Sequence, residues 1–423
     1  MFQSDKKDRP LKIAIIHAAD KGGGAESSVL SLHKGLMELG HESRLYVGYK
    51  YTNTRNVIAI PRVRTIPGLL RLTHFLEQNF GWQYLYSPGF RALRKTIETD
   101  TDIMHFNSLW GGGGFADIGA LPLLTKKYPA VITLREQWLM TGHCACPFDC
   151  LRWLKGCGKC PDLTLAPSIN RDGTRFNWSR KRTVLCRTNA HIAVISNWLK
   201  AEAERSPILK GKKVSVVFNG IDDKVFKPGS KENARDSLGI PHDKFIVLLA
   251  GQTIEGINQG IAQQAVEALN QCDEQNLMAL LIGKSAHRVA RGVTILNKVL
   301  PFQEKPEEMA SCYRAADITV VTSEFESFGR IAAESQACGT PVVAFSTGGL
   351  KEVVKDGVCG ILVTAGDVKR LKDAIQILVK DTAKVKQMGE SGTVWAREQF
   401  SNTKITEDYV KLYRQVIEER AGS

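Results

Sequence analysis

No uninterrupted apolar stretch in the 423 residues approaches the ~20 that a membrane-spanning helix requires; the longest runs, such as 245–250, are strand-sized. The first ten residues are charged, and the short apolar run at 11–19 lacks a small-residue cleavage pattern, so no secretory leader is read there and a soluble, cytoplasmic chain is expected. With 37 Gly, 15 Pro and no low-complexity tract, collagen-like, disordered and disulfide-miniprotein classes are excluded. Acid is scarce in the first half. Residues 1–218 carry 17 Asp+Glu against 32 Lys+Arg, whereas the remainder carries 27 against 25. Such an excess of cations attracts something anionic. Nucleic acid is not the expected partner, because no helix-turn-helix pattern, RNA-binding aromatic signature or basic tail is present.

What is present is alternation. An apolar strand at 11–18 runs into Ala19-Asp20-Lys21-Gly22-Gly23-Gly24 and then into a helix whose Val29, Leu32, Leu36 and Leu39 recur at helical spacing. Further strands at 43–47, 103–106, 130–134 and 191–195 predict a parallel sheet covered on both faces. A second round follows the Asn-Gly-Ile-Asp-Asp turn at 219–223, with strands at 245–250, 279–282, 318–322 and 341–345. The fold class expected is α/β with two Rossmann-like domains, 1–216 and 217–395, and a final helix in 396–423 carrying Tyr409, Leu412, Tyr413 and Val416 on one stripe.

The most informative segment is 322–345. A strand ends, a loop carries Glu326, and a helix starting near Phe328-Gly329 carries Glu334. The open amides and positive dipole end of such a helix suit a diphosphate, and two flanking carboxylates suit the hydroxyls of a sugar and a ribose. The bland alternative is a solvated loop acid and an exposed helix acid.

Together with Ser327-Phe328-Gly329, the runs Cys-Gly-Thr-Pro-Val-Val-Ala (338–344), Gly-Gly-Leu-Lys-Glu-Val-Val (348–354), Asp-Gly-Val-Cys-Gly-Ile-Leu-Val (356–363), Gly-Gly-Ala-Glu (23–26) and Asn-Gly-Ile-Asp (219–222) make the chain resemble retaining glycosyltransferases of the GT-B fold, family 4. The resemblance implies two facing Rossmann-like domains, with the last helix crossing back to the first. It assigns Glu326 to the transferred sugar, Glu334 to the ribose, and the amides of Phe328 and Gly329 to the diphosphate. Lys21 to Gly24, and so Gly22, Gly23 and Gly24, would approach the phosphates or the acceptor. In the implied mechanism the acceptor attacks from the face the diphosphate leaves, and a leaving phosphate oxygen takes its proton.

The pattern fails in two places. The family's Arg and Lys in the first loop of the second domain are missing; Gln252 and Asn258-Gln259 occupy that loop, leaving Gln252 and Gln259 as donor-side candidates. Losing such a cation costs about 3 kcal/mol of transition-state stabilisation. Arg330 and Lys284 are the substitutes considered, each with a plain surface cation as the alternative. On the acceptor side, Arg135 and Glu136 replace the family's usual His and Asp, so Arg135 is a candidate for an anionic acceptor or for a structural pair with Glu136. His105, at the end of its strand, is either an acceptor contact or a structural histidine.

Five of the ten cysteines lie between Cys144 and Cys160. Cys144, Cys150, Cys157 and Cys160 are read as ligands of a structural zinc ion or as reduced thiols, with His143 or Cys146 as alternate ligands and no catalytic metal expected. A subset of the resembling enzymes carries a similar cysteine-rich insertion, here at 143–161. Between Pro61 and Lys95, the basic residues Arg62, Arg64, Arg71, Arg91, Arg94 and Lys95 interleave with Leu69, Leu70, Leu72, Phe75, Leu76, Phe80, Trp82 and Tyr84; Arg171, Arg175, Arg180, Lys181, Arg182 and Arg187 form a second cluster. The mixture suits either docking on an anionic membrane or a solvated helix face. Two functions are weighed: transfer of a hexosyl unit from a nucleoside-diphosphate sugar to a lipid-linked glycan in surface-polysaccharide assembly, and a catalytically impaired binding or scaffold subunit.

Overall fold

The protein is represented by a computed structural model that describes residues 9–61, 68–111, 115–251 and 263–422. It divides into two compact units, the first formed by Met1–Gly220 with Ile405–Ser423 and the second by Ile221–Lys404.

The first unit contains strands β1 (Lys12–Ala19), β2 (Glu42–Tyr49), β3 (Val57–Ala59), β4 (Ile103–Asn107), β5 (Ala130–Leu134), β6 (His191–Val194) and β7 (Val214–Val216). They form one sheet in the order β3-β2-β1-β4-β5-β6-β7, and every pairing is parallel. β4 and β5 are buried along their whole length, as expected for strands covered on both faces. Part of that cover comes from far away in sequence. Ile405, Tyr409, Leu412, Tyr413 and Val416 of the helix Asn402–Ala421 share one core with Ile13, Ile15, Val29, Leu45 and Val131.

The second unit contains β8 (Phe245–Ala250), β9 (Leu277–Ile282), β10 (Leu296–Leu300), β11 (Ile318–Val321), β12 (Val342–Phe345) and β13 (Gly360–Val363), again all parallel, in the order β10-β9-β8-β11-β12-β13. In each sheet the winding reverses once, between β1 and β4 in the first and between β8 and β11 in the second. Open α/β sheets bind ligands in the crevice beyond the carboxyl ends of the strands at such a reversal. In the first unit the chain leaves β1 through the glycine loop 22–24, and β4 ends at Asn107. In the second, β11 leads directly to Glu326.

Candidate active site

In the second unit, Gly329 ends the loop after β11 in the left-handed region (φ 104°), and the helix Arg330–Ala337 begins behind it. A side chain at Gly329 would come within 2.5 Å of Leu350 Cδ2, so the position has neither the conformation nor the space for one. Glu326 is half-buried and turns back on this loop. Its carboxylate accepts from the amide of Gly329 at 3.2 Å and from that of Phe328. Burial pushes its pKa up, and the two amide bonds only partly offset that.

The amides of Phe328 and Gly329, assigned from sequence to a diphosphate, donate in this structure to the Glu326 carboxylate. Phe328 itself is buried, with its ring edge-on to Phe400 at 5.2 Å.

Glu334 is 7% exposed on the helix that follows. Arg330 Nε donates to one of its oxygens at 2.5 Å, one helical turn away, and Tyr313 Oη donates to the other at 3.2 Å. Arg330, expected to neutralise a leaving diphosphate, is thus engaged with Glu334, since an i, i+4 pair meets on one helix face. Lys284 follows Gly283 at the carboxyl end of β9, exposed, with its ammonium 6.0 Å from the Phe302 ring. Gln252 and Gln259 lie outside the described residues.

In the first unit the glycine loop is fixed from both sides. Before it, buried Asp20 accepts from the amides of Tyr51 at 2.6 Å and Thr52 at 2.9 Å and from the Thr52 hydroxyl at 2.6 Å. After it, Glu26 accepts from the amide of Gly23 at 2.8 Å and lies 3.6 Å from Nε2 of buried His17. A Cβ on Gly22 would come within 2.9 Å of Glu26 Cδ. Between these anchors, Gly22, Gly23 and Gly24 are exposed, but the Gly23 amide is committed to Glu26.

Burial alone would raise the Glu26 pKa, but the neighbouring His17 imidazole and the bond from the Gly23 amide outweigh it and hold the carboxyl below its ordinary range. Its stabilisation is therefore complete above the ordinary value near about 4.3 and disappears as pH falls through the lower folded value. Glu26→Ala should cost about 1 kcal/mol in a urea titration at neutral pH, the usual scale for a lost helix cap. Glu26→Gln should recover most of that, because the amide oxygen still accepts from Gly23. An Ala variant as stable as wild type would remove the clamp.

His17 continues the network. Its Nδ1 is 3.0 Å from the carbonyl of Asn107, whose side-chain oxygen accepts from Arg135 Nη2 at 3.1 Å, and Arg135 Nη1 donates to the Asn219 side chain. A polar line thus crosses the carboxyl ends of β1, β4 and β5. Asn107, Asn219, His17 and, in the second unit, Tyr313 are functional candidates that the sequence reading missed. Asn219 carried a signal, since it opens the Asn-Gly-Ile-Asp run, and Asn107 lies one residue past the predicted strand. Tyr313 and His17 are spaced like ordinary core residues.

Other expectations on this side change. His105 is an internal residue rather than an acceptor contact. It is fully buried, bonded to Tyr413 Oη at 2.6 Å and Thr133 Oγ1 at 2.7 Å, and burial holds its pKa well below the ordinary value. Arg135 is held by Asn107 and Asn219. Glu136 turns to the Trp138 amide at 2.5 Å, and burial pushes its pKa up.

One member of the basic clusters faces inward, and two others are tied to a buried acid. Lys181 is buried, donates to the carbonyls of Trp138 at 2.6 Å and Thr141 at 3.1 Å, and sits 3.6 Å from the Trp138 ring. Arg91 and Arg180 pair with buried Asp117. Arg62 and Arg64 lie outside the described residues.

Among the described residues, no three His, Cys, Asp or Glu side chains are gathered to hold a metal ion. Burial pushes the thiols of Cys144 up to about 12 and Cys157 up to about 11, and Cys157 Sγ accepts from the Gly142 amide at 3.2 Å. Cys160 Sγ lies 3.3 Å from His143 Nε2, and Cys150 is part-buried.

Comparison with known proteins agrees with this geometry. The "Glycosyltransferase Family 4" profile matches residues 22–225, and "Glycosyl transferases group 1" matches 230–395. The chain belongs to the group 1, family 4 glycosyltransferases. Within that family it is 33% identical over 225 residues to D-inositol 3-phosphate glycosyltransferase 1 of Catenulispora acidiphila, covering 50% of this chain and 54% of the relative. It is 32% identical over 223 residues to the D-inositol 3-phosphate glycosyltransferase of Thermobispora bispora, covering 49% and 51%. The family 4 chain spans about half the length of the curated relatives it matches.

Its fold is that of sucrose-phosphate synthase from Thermosynechococcus elongatus (TM-score 0.67, 21% identity, 98% of this chain and 100% of that one). It is likewise that of Anabaena HepE, solved in complex with UDP-glucose (TM-score 0.67, 19% identity, 98% and 100%). This is the GT-B fold.

Proposed function

We propose that the protein is a retaining glycosyltransferase that moves a hexosyl unit from a nucleoside-diphosphate sugar to a hydroxyl of a lipid-linked glycan in surface-polysaccharide or glycoconjugate assembly. The observation that carries this reading is the constellation after β11: Glu326 locked onto the turn at Gly329, and Glu334 presented one helix turn beyond Arg330 with both oxygens oriented. A carboxylate held in this way is ready to accept from a ribose diol without reorganising. HepE's complex with UDP-glucose supports a uridine donor.

Transfer breaks the bond between the sugar's C1 and the diphosphate and forms a bond from C1 to the acceptor oxygen on the same face. The acceptor proton passes to a leaving phosphate oxygen. Arg135, placed by Asn107 and Asn219, is the candidate reader of an anionic group on the acceptor. No described helix is long and apolar enough to cross a membrane. The helix Leu69–Phe80, however, has no buried residue and exposes Leu70, Leu72, Phe75 and Phe80 beside Arg71, which supports peripheral work on an anionic membrane surface.

The test is a panel of nucleotide sugars assayed for nucleotide release with and without lipid-linked acceptors, with the anomeric configuration of the product read by NMR. Transfer with retention supports the reading. A second reading, a nucleotide-sugar-binding or scaffold subunit, is favoured by the commitment of Arg330 to Glu334. It follows if a donor binds but no acceptor turns it over.

The four cysteines Cys144, Cys150, Cys157 and Cys160 are proposed to hold a structural zinc ion, supported by the density of cysteines between 144 and 160; their thiols are not gathered into a ligand set in this structure, so binding would have to draw them together. Zinc would supply a cross-link and no step of the transfer. Purified protein is expected to contain about one equivalent, and Cys157→Ser to lose it together with thermal stability. Metal-free protein of full stability would make these thiols ordinary packing residues.

A further inference from the structure

At the amino-terminal edge of the first unit's sheet, opposite the glycine loop, lies a pocket of about 250 Å³. Its wall includes Ala130 and His191 at the starts of β5 and β6, Lys212 and Lys213 just before β7, and Glu419 and Arg420 in the last turns of the helix Asn402–Ala421. Three full cations from two distant segments therefore meet around one acid. Lys213 and Glu419 pair at 2.9 Å. Lys212 donates to the Thr188 carbonyl at 2.5 Å and Arg420 to the Lys126 carbonyl at 2.8 Å. Those carbonyls satisfy hydrogen bonds but neutralise no charge.

His191 supplies the second, independent sign. It is 6% exposed, its Nε2 lies 2.8 Å from Ser215 Oγ, and its Nδ1 is buried without a hydrogen-bond partner. An unmet buried polar atom costs about 1–3 kcal/mol, and an acceptor oxygen in the pocket would remove that cost.

We propose that this pocket binds a phosphate group, inorganic or the head of a small phosphomonoester, between Lys212, Arg420 and Nδ1 of His191. A doubly charged oxyanion matches two cations that pair with no carboxylate among the described residues, and Nδ1 of His191 is its donor when Nε2 accepts from Ser215 Oγ. The volume holds several waters, at roughly 30 Å³ each, yet falls below the roughly 300–1,000 Å³ of pockets for larger ligands, so a nucleotide sugar is excluded. Because Lys212 precedes β7 and Arg420 ends the last helix, the bound anion fastens that helix to the sheet. The groups around His191 fix its response: burial and Lys213 hold its pKa down, Glu419 pulls it up, and an added anion raises it.

The test labels histidine Cε1 with ¹³C in the full chain and titrates inorganic phosphate, glycerol 3-phosphate and vesicles containing phosphatidic acid, with chloride at matched ionic strength as control. The expected result is a saturable shift of the His191 signal, a rise in its pKa and a higher melting temperature. Lys212→Ala and Arg420→Gln should each weaken binding about tenfold, or ~1.4 kcal/mol. A shift with both soluble phosphates assigns the site to a metabolite, and one with vesicles alone assigns it to a lipid head. His191 remaining unmoved by all three probes, or moving equally with chloride, overturns the proposal. The two cation variants are read only with unliganded melting curves matching wild type, and His191→Gln, which keeps a hydrogen-bonding side chain, provides a third arm by calorimetry.

Discussion

Glu334→Ala is expected to lower affinity for both the whole donor and its bare nucleotide by about a hundredfold or more. Two hydrogen bonds to a charged carboxylate are each worth about 1.5–3 kcal/mol, and every ~1.4 kcal/mol is a factor of ten. The substitution also leaves the buried Tyr313 hydroxyl without its acceptor and releases Arg330 from its 2.5 Å pair, so a fall in stability of about 1–3 kcal/mol accompanies it. Glu334→Gln separates the two effects, since the amide oxygen still accepts from Tyr313 while the charge is gone. Glu326→Ala should leave the bare nucleotide bound as in wild type and remove only the increment contributed by the sugar. Calorimetry with both ligands decides this, and equal donor affinity across wild type and both Ala variants would end the assignment of these carboxylates.

The second large effect is expected at Gly348, a residue with no functional group. Its φ of 45° is left-handed, and a Cβ there would strike the carbonyl oxygen of Glu326. The neighbouring Gly349 amide donates to that same carbonyl at 2.7 Å, so the two backbones lie directly against each other. Gly348→Ala adds about 1–2 kcal/mol of left-handed strain and forces one of two packed main chains to move. A loss of about 3 kcal/mol or more follows, read as a melting shift of roughly 6–12 °C in a unit of this size. Turnover should fall further than stability alone explains, because the displaced backbone carries Glu326. Gly357, also left-handed at 73° but facing open space, is the control: Gly357→Ala should show only the conformational cost. Similar melting temperatures for the two variants would mean that the Glu326 loop yields freely.

What the sequence made legible follows from the range of the forces involved. β8, β9, β11 and β12 could be read because strands buried on both faces are continuous apolar runs, whereas the left-handed backbone at Gly348 was not read, that glycine standing only within a run shared with the resembling family. Side-chain partners could not be read. Nothing local tells that Arg330 reaches for Glu334 rather than solvent, that Lys181 in a run of basic residues turns into the protein, or that His105 meets a tyrosine 308 positions later. Helical periodicity gave Tyr409 and Tyr413 as one stripe but not the imidazole they enclose. The bonds from the amides at 328 and 329 to Glu326 were hidden for a related reason: they depend on where the Glu326 side chain folds, which spacing alone does not determine.

The first unit is interrupted in the chain by the whole of the second, and its core is completed only by residues after 404. During synthesis at about 5–20 residues per second, the 184 residues from Ile221 to Lys404 emerge over about 10–40 s. Throughout that interval the sheet exists without Ile405, Tyr409, Leu412 and Val416, and His105 lacks the Tyr413 hydroxyl that later holds it. The second unit has every strand and helix it needs in one continuous segment and is free to fold first. Vectorial synthesis therefore reverses the order of the sequence: the half made first is finished last, and its apolar trough stays open to chaperones, or to a second nascent chain, until the final helix leaves the ribosome.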